Sequence, residues 1–333
     1  MKKIPYFDLK KQYKIIGEDL EKSIIKTLRS TNYALGPEVE KFESNFSNYI
    51  GTNYCAGVNT GTSALHLALL AAGIGSGDEV ITVSMTFIAT VMSISYTNAK
   101  PVFVDVEDKT LTMNPDLIES KINSRTKAIL VVHLYGQCAD MNKISKIAKK
   151  NNLFLIEDSS QAHGAKYKNN NAGSIGDFGT FSFYPGKNLG ACGEGGAVTS
   201  NNKKLIDKVK GLRNWSQPRR YEHTEISYNY RMDGLQAASL NVKLKYIKKW
   251  TQIRRDIAEI YQKNIKTDKC QITTEVSDRF HVYHIFSIFH KESLNLKSYL
   301  NECNIGTNNH YPIPAHLQKP YLNLGYKNND LPI

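Results

Sequence analysis

Apolar positions along the chain change period twice. Residues 14–31 carry Ile15, Ile16, Leu20, Ile24 and Leu28 at helical spacing. Gly36-Pro37 breaks the chain, and Val39, Phe42, Phe46, Tyr49 and Ile50 then mark one face of a second helix. From residue 79 short apolar runs take over, at 79–83, 101–105, 127–133 and 153–157. Helical stretches at 63–73, 86–98, 114–123 and 140–151 separate or flank them. This strand–helix alternation predicts an α/β fold with a mostly parallel sheet covered on both faces. Two further runs, 178–183 and 195–199, come without long helices and fit the far side of the same sheet. Around residue 235 the period turns helical again, with Leu240, Leu244, Ile247 and Trp250 on one face. An alternation from Phe280 to Phe289 then opens a smaller α+β region. Residues 211–234 show no clean period and read as an extended loop, a class that often carries function.

Composition narrows the class. The 333 residues are 41% hydrophobic and 22% charged, a globular mixture with room for a sizeable core. The 43 Lys+Arg against 31 Asp+Glu give +12. The lysines are scattered apart from short clusters at 146–150 and 248–249, so a solvated surface is expected rather than a nucleic-acid site. Val80 to Ala99 holds no charge, but eight of its residues are Ser, Thr or Asn. A buried strand followed by a helix fits it better than a membrane span. No apolar stretch follows the basic start, so no secretory signal is expected. The five cysteines are widely spaced and contain no C-x-x-C, which argues against a disulfide framework or zinc site and for reduced thiols in the cytoplasm.

Three segments would lie beyond the carboxyl ends of strands, where ligands bind in open parallel sheets. Thr60-Gly61-Thr62-Ser63 enters a helix. Its free N–H groups and hydroxyls suit an anion such as phosphate, or form a simple N-cap. It is not a P-loop, because no G-K-[ST] follows. Asp158 ends an apolar strand and either caps the next helix or faces a ligand cation. Gln161 is its capping-box partner or reaches the same ligand. Lys187 follows a buried strand and is flanked by aromatics, Pro and Gly. A lysine brought into an enclosed site loses its proton more readily and becomes a nucleophile. His281 and His284, three apart in an alternating strand, would face opposite sides and make no metal pair. His310-Tyr311-Pro312-Ile313-Pro314-Ala315-His316 is stiffened by two prolines and either lines a pocket or forms a rigid surface turn.

Taken together and in order, these segments resemble the DegT/DnrJ/EryC1/StrS family of pyridoxal-phosphate sugar aminotransferases. The matching pieces are TGTSAL at 60–65, TFIAT at 86–90, EDSSQAHGA at 157–165, GDFGTFSFYPGKNLGACGEGGA at 176–197, YNYRMDGLQAA at 228–238 and HYPIPAHLQ at 310–318. The resemblance implies fold type I, with a large pyridoxal 5'-phosphate domain over 1–235 and a smaller α+β domain over 236–333. It implies that Lys187 forms the Schiff base and moves the proton. Asp158 would pair with the pyridine nitrogen, Gln161 with the ring hydroxyl, and Phe87 would stack on the ring. Gly61, Thr62, Ser63 and Ser182 would hold the phosphate. Asn229 would reach the phosphate of a neighbouring subunit, which implies a homodimer with shared sites.

Glutamate is the implied amino donor. FYPGKNLGA and HYPIPAHLQ look most like the subgroup that aminates C-3 of dTDP-3-keto-6-deoxyhexoses, with C-4 amination of a related nucleotide sugar as the alternative. There Tyr184, His310 and Tyr311 would contact the sugar or its diphosphate. Arg213, Arg219, Arg220 and Arg231 are candidates for the diphosphate, since Arg suits bidentate phosphate contacts. Where this chain has Cys192 and Glu194, the subgroup often has Leu and Asp; no effect on the cofactor is expected. The chain stops at Leu331-Pro332-Ile333, where relatives continue into a last helix, so a small domain without that helix, with altered activity, is a further expectation. A related dehydratase is disfavoured because those relatives replace the Schiff-base Lys with His. A non-catalytic regulatory protein is the reading from another class.

Overall fold

A computed structural model describes residues 3–333. Helices α1 (Leu9–Ser30) and α2 (Pro37–Ile50) lead into β1 (Tyr54–Val58), α3 (Gly61–Ala71), β2 (Glu79–Val83), α4 (Ala89–Tyr96), β3 (Lys100–Val104), β4 (Thr126–Val132), α5 (Met141–Lys150) and β5 (Phe154–Asp158). Short strands β6 (Lys166–Tyr167) and β7 (Asn170–Asn171) precede β8 (Phe178–Ser182), β9 (Gly196–Ser200), α6 (Lys203–Leu212), α7 (Gly234–Lys243) and α8 (Ile247–Asn264). The C-terminal part adds β10 (Gln271–Ile272), β11 (Arg279–Phe280), β12 (Ile288–Phe289) and α9 (Ser293–Glu302).

The main sheet has the order β1-β9-β8-β5-β4-β2-β3. It is parallel except for β9, which runs antiparallel to both β1 and β8. The parallel sheet read from the alternation is therefore present, and 178–183 and 195–199 supply β8 and β9. The edge strand β1 escaped that reading because its polar–apolar pattern is weak, and so did α6. The charge-free stretch at 80–99 is strand β2 and helix α4. No helix among the described residues is long and apolar enough to cross a membrane.

Two predicted elements come out differently. Residues 114–123 form two separate 3-10 turns, 115–117 and 119–121, instead of a helix. Only Pro115 and Ile118 of this stretch are buried, and so short a segment needs a packed face to hold a helix. The alternation at 280–289 is strand only at its two ends, in β11 and β12. Between them the backbone turns to the main body, where Val282 N–H donates to Gly136 O at 2.9 Å and Ile285 N–H to Tyr135 O at 3.3 Å.

The core has two large parts. Aliphatic side chains of β2, β4 and β5 fill the first, with α3 and α5 packed onto them. Rings make the second. Phe42 and Phe46 of α2 meet Phe181 and Phe183 edge to face, with centroids 4.9–5.2 Å apart. Ala237 and Leu240 of α7 belong to this second cluster. The division expected at 235/236 falls inside α7, whose buried face packs with the large core. The strands thus present their carboxyl ends, at Val58, Val83, Val132, Asp158 and Ser182, along one rim of a rigid sheet.

Candidate active site

Two neighbouring parallel strands bring the central pair to that rim. Asp158 closes β5 opposite Thr180 of β8, and β8 runs on through Ser182 to Lys187. Asp158 is buried, and each carboxylate oxygen has a fixed donor. Thr90 Oγ1 donates to Oδ2 at 2.8 Å, and Ser160 N–H donates to Oδ1 at 3.1 Å. Burial pulls the Lys187 amine down from 10.5 to about 8, against the opposing pull of Asp158. At that value a useful fraction is uncharged near neutral pH.

The loop that carries Lys187 is tight and anchored. Lys187 N–H donates to Tyr184 O at 2.8 Å, and a Cβ on Gly190 would lie 2.5 Å from Pro185 O, so glycine is required there. Lys243 of α7 donates through Nζ to Gly190 O at 2.8 Å and to Ala191 O at 3.4 Å. Asn188 bridges to the C-terminal part, giving Nδ2–H to Val282 O at 3.1 Å, with His284 Nδ1 3.1 Å from its Oδ1. The imidazole of His163 is buried and His284 is partly so, and desolvation together with the Lys187 charge holds both well below the usual histidine range.

An anion cradle lies beside this pair. Thr60 caps α3 by accepting Ser63 N–H at 3.0 Å, and Ser63 Oγ accepts Thr60 N–H at 3.1 Å. The Ser63 hydroxyl also faces Asn59 Oδ1 at 2.5 Å, so it serves the cap. The phosphate role expected of its side chain is corrected accordingly. The N–H groups of Gly61 and Thr62 and the hydroxyls of Thr62 and Ser182 are left for an anion. A Cβ on Gly61 would lie 2.5 Å from Ser182 Cβ, which draws the two segments together.

Gln161 is committed on both ends. Its Oε1 accepts Tyr135 N–H at 2.8 Å, and its Nε2 donates to Tyr311 OH at 3.0 Å, leaving one amide hydrogen free. Tyr311 also faces Phe87, with ring centroids 5.8 Å apart. Both rings line a cavity of ~150 Å³ together with Thr86, Ile313 and Ala315. A larger open cleft of ~680 Å³, between α8 and residues 272–280, is lined by none of these groups. The His310 ring stacks on Tyr6 at 5.8 Å, and Tyr184 stands exposed at the rim.

The arginines divide. Arg213 is buried and donates at 2.5 Å to both Glu43 Oε1 and Gly57 O, while Lys210 pairs with the other Glu43 oxygen at 2.8 Å. A guanidinium so used is not available to a diphosphate, so its candidacy is withdrawn. Arg219 and Arg220 are exposed, and Arg231 donates to Asn214 Oδ1 at 3.0 Å. In the YNYR segment, Tyr228 and Tyr230 stack on each other at 5.0 Å, and Tyr228 packs on His66 at 4.9 Å. Alternation then turns Asn229 outward, where it is exposed.

Sequence reasoning missed Thr90, His284, Asn188 and Lys243 as neighbours of the central pair. The spacing of Thr86 and Thr90, one helical turn apart, was a signal for the first. The anchor of Lys243 lies 52 and more residues away in sequence and left no local trace.

The profile of the DegT/DnrJ/EryC1/StrS aminotransferase family matches residues 14–333. The chain belongs to this family. Within it, the chain is 46% identical over 318 residues to a dTDP-3-amino-3,6-dideoxy-alpha-D-galactopyranose transaminase of Aneurinibacillus thermoaerophilus, covering 96% of this chain and 88% of that one. It is 40% identical over 332 residues to a pleiotropic regulatory protein of Geobacillus stearothermophilus, covering 99% and 89%. The solved structure of S. venezuelae DesV in complex with a ketimine intermediate superimposes with a TM-score of 0.97 at 38% identity, covering 100% of this chain and 90% of that one. That of NtdA from Bacillus subtilis with bound cofactor PMP has a TM-score of 0.83 at 32% identity, covering 91% and 70%. The α/β architecture read from the sequence is the fold of these family aminotransferases.

Proposed function

We propose that the protein is a pyridoxal-phosphate-dependent transaminase that moves the amino group of glutamate to the C-3 ketone of a dTDP-linked 3-keto-6-deoxyhexose. One observation carries the reading. A half-buried lysine, its amine pulled down by desolvation to about 8, lies within electrostatic reach of a buried carboxylate whose two oxygens are each oriented by a donor. The residues present fit the cofactor. The cradle at Gly61, Thr62 and Ser182 suits its phosphate, Asp158 its ring nitrogen, the free amide hydrogen of Gln161 its ring hydroxyl, and Phe87 its face. The free cofactor's aldehyde would be captured by Lys187. When bound, pyridoxal phosphate supplies an electron sink joined to the carbon at which the proton leaves.

The rest of the work falls to the chain. With the cofactor bound, Lys187 Nζ would serve as the base that takes the proton from the donor's α-carbon and, protonated, as the acid in the other half-reaction. Its lowered basicity suits both directions near neutral pH. Asp158, oriented by Thr90 and Ser160, would hold the pyridine nitrogen. Lys243 pins the carbonyls of Gly190 and Ala191, so the backbone that carries Lys187 is fixed before substrate arrives. Tyr184, His310 and Tyr311 face the sugar, and Arg219 and Arg231 take the diphosphate.

A homodimer with shared sites is part of the proposal. Asn229 is exposed on its own chain, Ile226 beside it is 93% exposed, and Ile15 and Leu28 of α1 leave their side chains uncovered. A second copy would cover such surfaces and bring Asn229 to its neighbour's phosphate. The relative from A. thermoaerophilus favours C-3 and dTDP. The setting would be cytoplasmic synthesis of a deoxyamino sugar for a surface glycan.

The test is turnover with glutamate and dTDP-3-keto-6-deoxyglucose or its galacto epimer, followed by NMR of the product. Nitrogen at C-3 is expected. Nitrogen at C-4 of a related substrate would move the assignment within the family, and absence of turnover with a fully loaded cofactor would favour a regulatory protein.

A further inference from the structure

The chemistry so far leaves one buried pair of hydroxyls unused. Thr90 Oγ1 donates to Asp158 Oδ2 at 2.8 Å, and Thr86 Oγ1 lies 2.8 Å from Thr90 Oγ1. Thr86, Thr90 and Asp158 are all buried. The direction of the chain is forced. An ionised carboxylate only accepts, so the single Thr90 hydroxyl proton points at Asp158. Thr90 then has only lone pairs to offer Thr86, and Thr86 must donate. Such a chain polarises each bond in the same sense, and all three groups are buried.

The threonines are also held where they stand. Thr90 opens α4, its N–H donates to Phe87 O at 3.1 Å, and Ser93 Oγ donates to its carbonyl at 2.8 Å. A β-branched side chain in a helix has few χ1 choices, so a fixed backbone fixes the hydroxyl. Ser160 N–H holds the other carboxylate oxygen. With one donor on each oxygen, the plane of the Asp158 carboxylate is set before any ligand arrives.

We propose that Thr86 and Thr90 are positioning residues that set the orientation of Asp158 toward the cofactor's ring nitrogen. The inference rests on the pyridoxal-phosphate reading above. Neither threonine is assigned a contact with substrate, and Thr86 acts only through Thr90. The chain links the phenylalanine-bearing turn 86–90 to the far side of the ring site. The residue that stacks on the ring and the residue that meets its nitrogen are thereby placed by one segment.

The test compares the wild-type protein with Thr90→Val, Thr90→Ser and Thr86→Val, reading pyridoxal phosphate affinity by fluorescence titration and the pH midpoint of the bound cofactor's visible absorbance. Thr90→Val is expected to weaken cofactor binding by about tenfold, the scale of one hydrogen bond to a charged group. It should also shift the absorbance midpoint and lower kcat more than it raises KM. Thr90→Ser restores the hydroxyl and should stay within about threefold of wild type. Thr86→Val should move the same quantities the same way by less; it serves in place of Thr90→Val if that variant does not fold. Wild-type affinity and midpoint in the valine variants, or equal impairment in Thr90→Ser, would overturn the inference while leaving the cofactor reading intact. A wild-type protein that takes up no pyridoxal phosphate overturns both.

Discussion

The rim around Lys187 and Asp158 differs from the arginine-bearing segment 213–231 in how its polar groups are satisfied. At the rim each functional group is tied to a neighbour on another element: Asp158 to Thr90, Gln161 to Tyr135 and Tyr311, Asn188 to Val282, and the lysine loop to Lys243. In the arginine segment the buried guanidinium is consumed by Glu43, and the others face solvent or a single asparagine. The Lys187–Asp158 rim is tied together within one chain, apart from the phosphate contact proposed for a neighbour's Asn229; the arginine segment is open. A cofactor that stays bound requires preorganised partners. A substrate that must enter and leave is better served by exposed side chains that close on it.

Changes at the rim should therefore remove activity, and changes in the arginine segment should alter either stability or substrate affinity. Lys187→Ala sits at the extreme. It removes the group proposed both to attach the cofactor and to move the proton, so steady-state turnover should fall by at least about 10³-fold with folding intact. Asp158→Asn keeps the shape but not the charge. A loss of about 10²–10³ in kcat is expected, with a smaller rise in KM.

Arg213 sharpens the contrast from the other side. Arg213→Ala leaves Glu43 buried with Lys210 as its one remaining cation, and should cost about 3 kcal/mol in thermal or denaturant unfolding. The nucleotide-sugar KM should stay unchanged in whatever protein folds. A raised KM with normal stability would return Arg213 to the substrate site. Arg219→Ala and Arg231→Ala should do the opposite, raising that KM by about tenfold with little change in melting temperature.

The smallest expected effect is a pH slope. The Lys187 amine is lowered from 10.5 to about 8 in the folded protein, so between those values the unfolded chain holds the extra proton. Stability of the cofactor-free protein then rises with pH across that window, and Lys187→Met should lack that part of the rise. Equal slopes in the two proteins would mean that the amine is not enclosed.

Much of this was legible in the sequence, for physical reasons that differ by region. The parallel strands β2, β4 and β5 are buried on both faces and read as unbroken apolar runs. The glycine-rich sequence around Lys187 marks a tight turn because no side chain fits at Gly190. The strand alternation at 280–289 misled because the residues answer to Gly136 and Tyr135 of the main body, a tertiary demand that a local period does not record. Arg213 misled for the same reason. Its partner Glu43 stands 170 residues earlier, and nothing nearby in the chain announces it. Five of the six collinear motifs hold a strand end or a helix start, where backbone geometry and chemistry coincide; HYPIPAHLQ is a loop that runs into a 3-10 turn.

The most direct test of the central claim is to load the protein with pyridoxal phosphate, reduce it with borohydride and map the modified peptide by mass spectrometry. Attachment at Lys187, absent in Lys187→Ala, is the predicted result. Stable attachment at another lysine with Lys187 unmodified, or no attachment at saturating cofactor, would contradict the account.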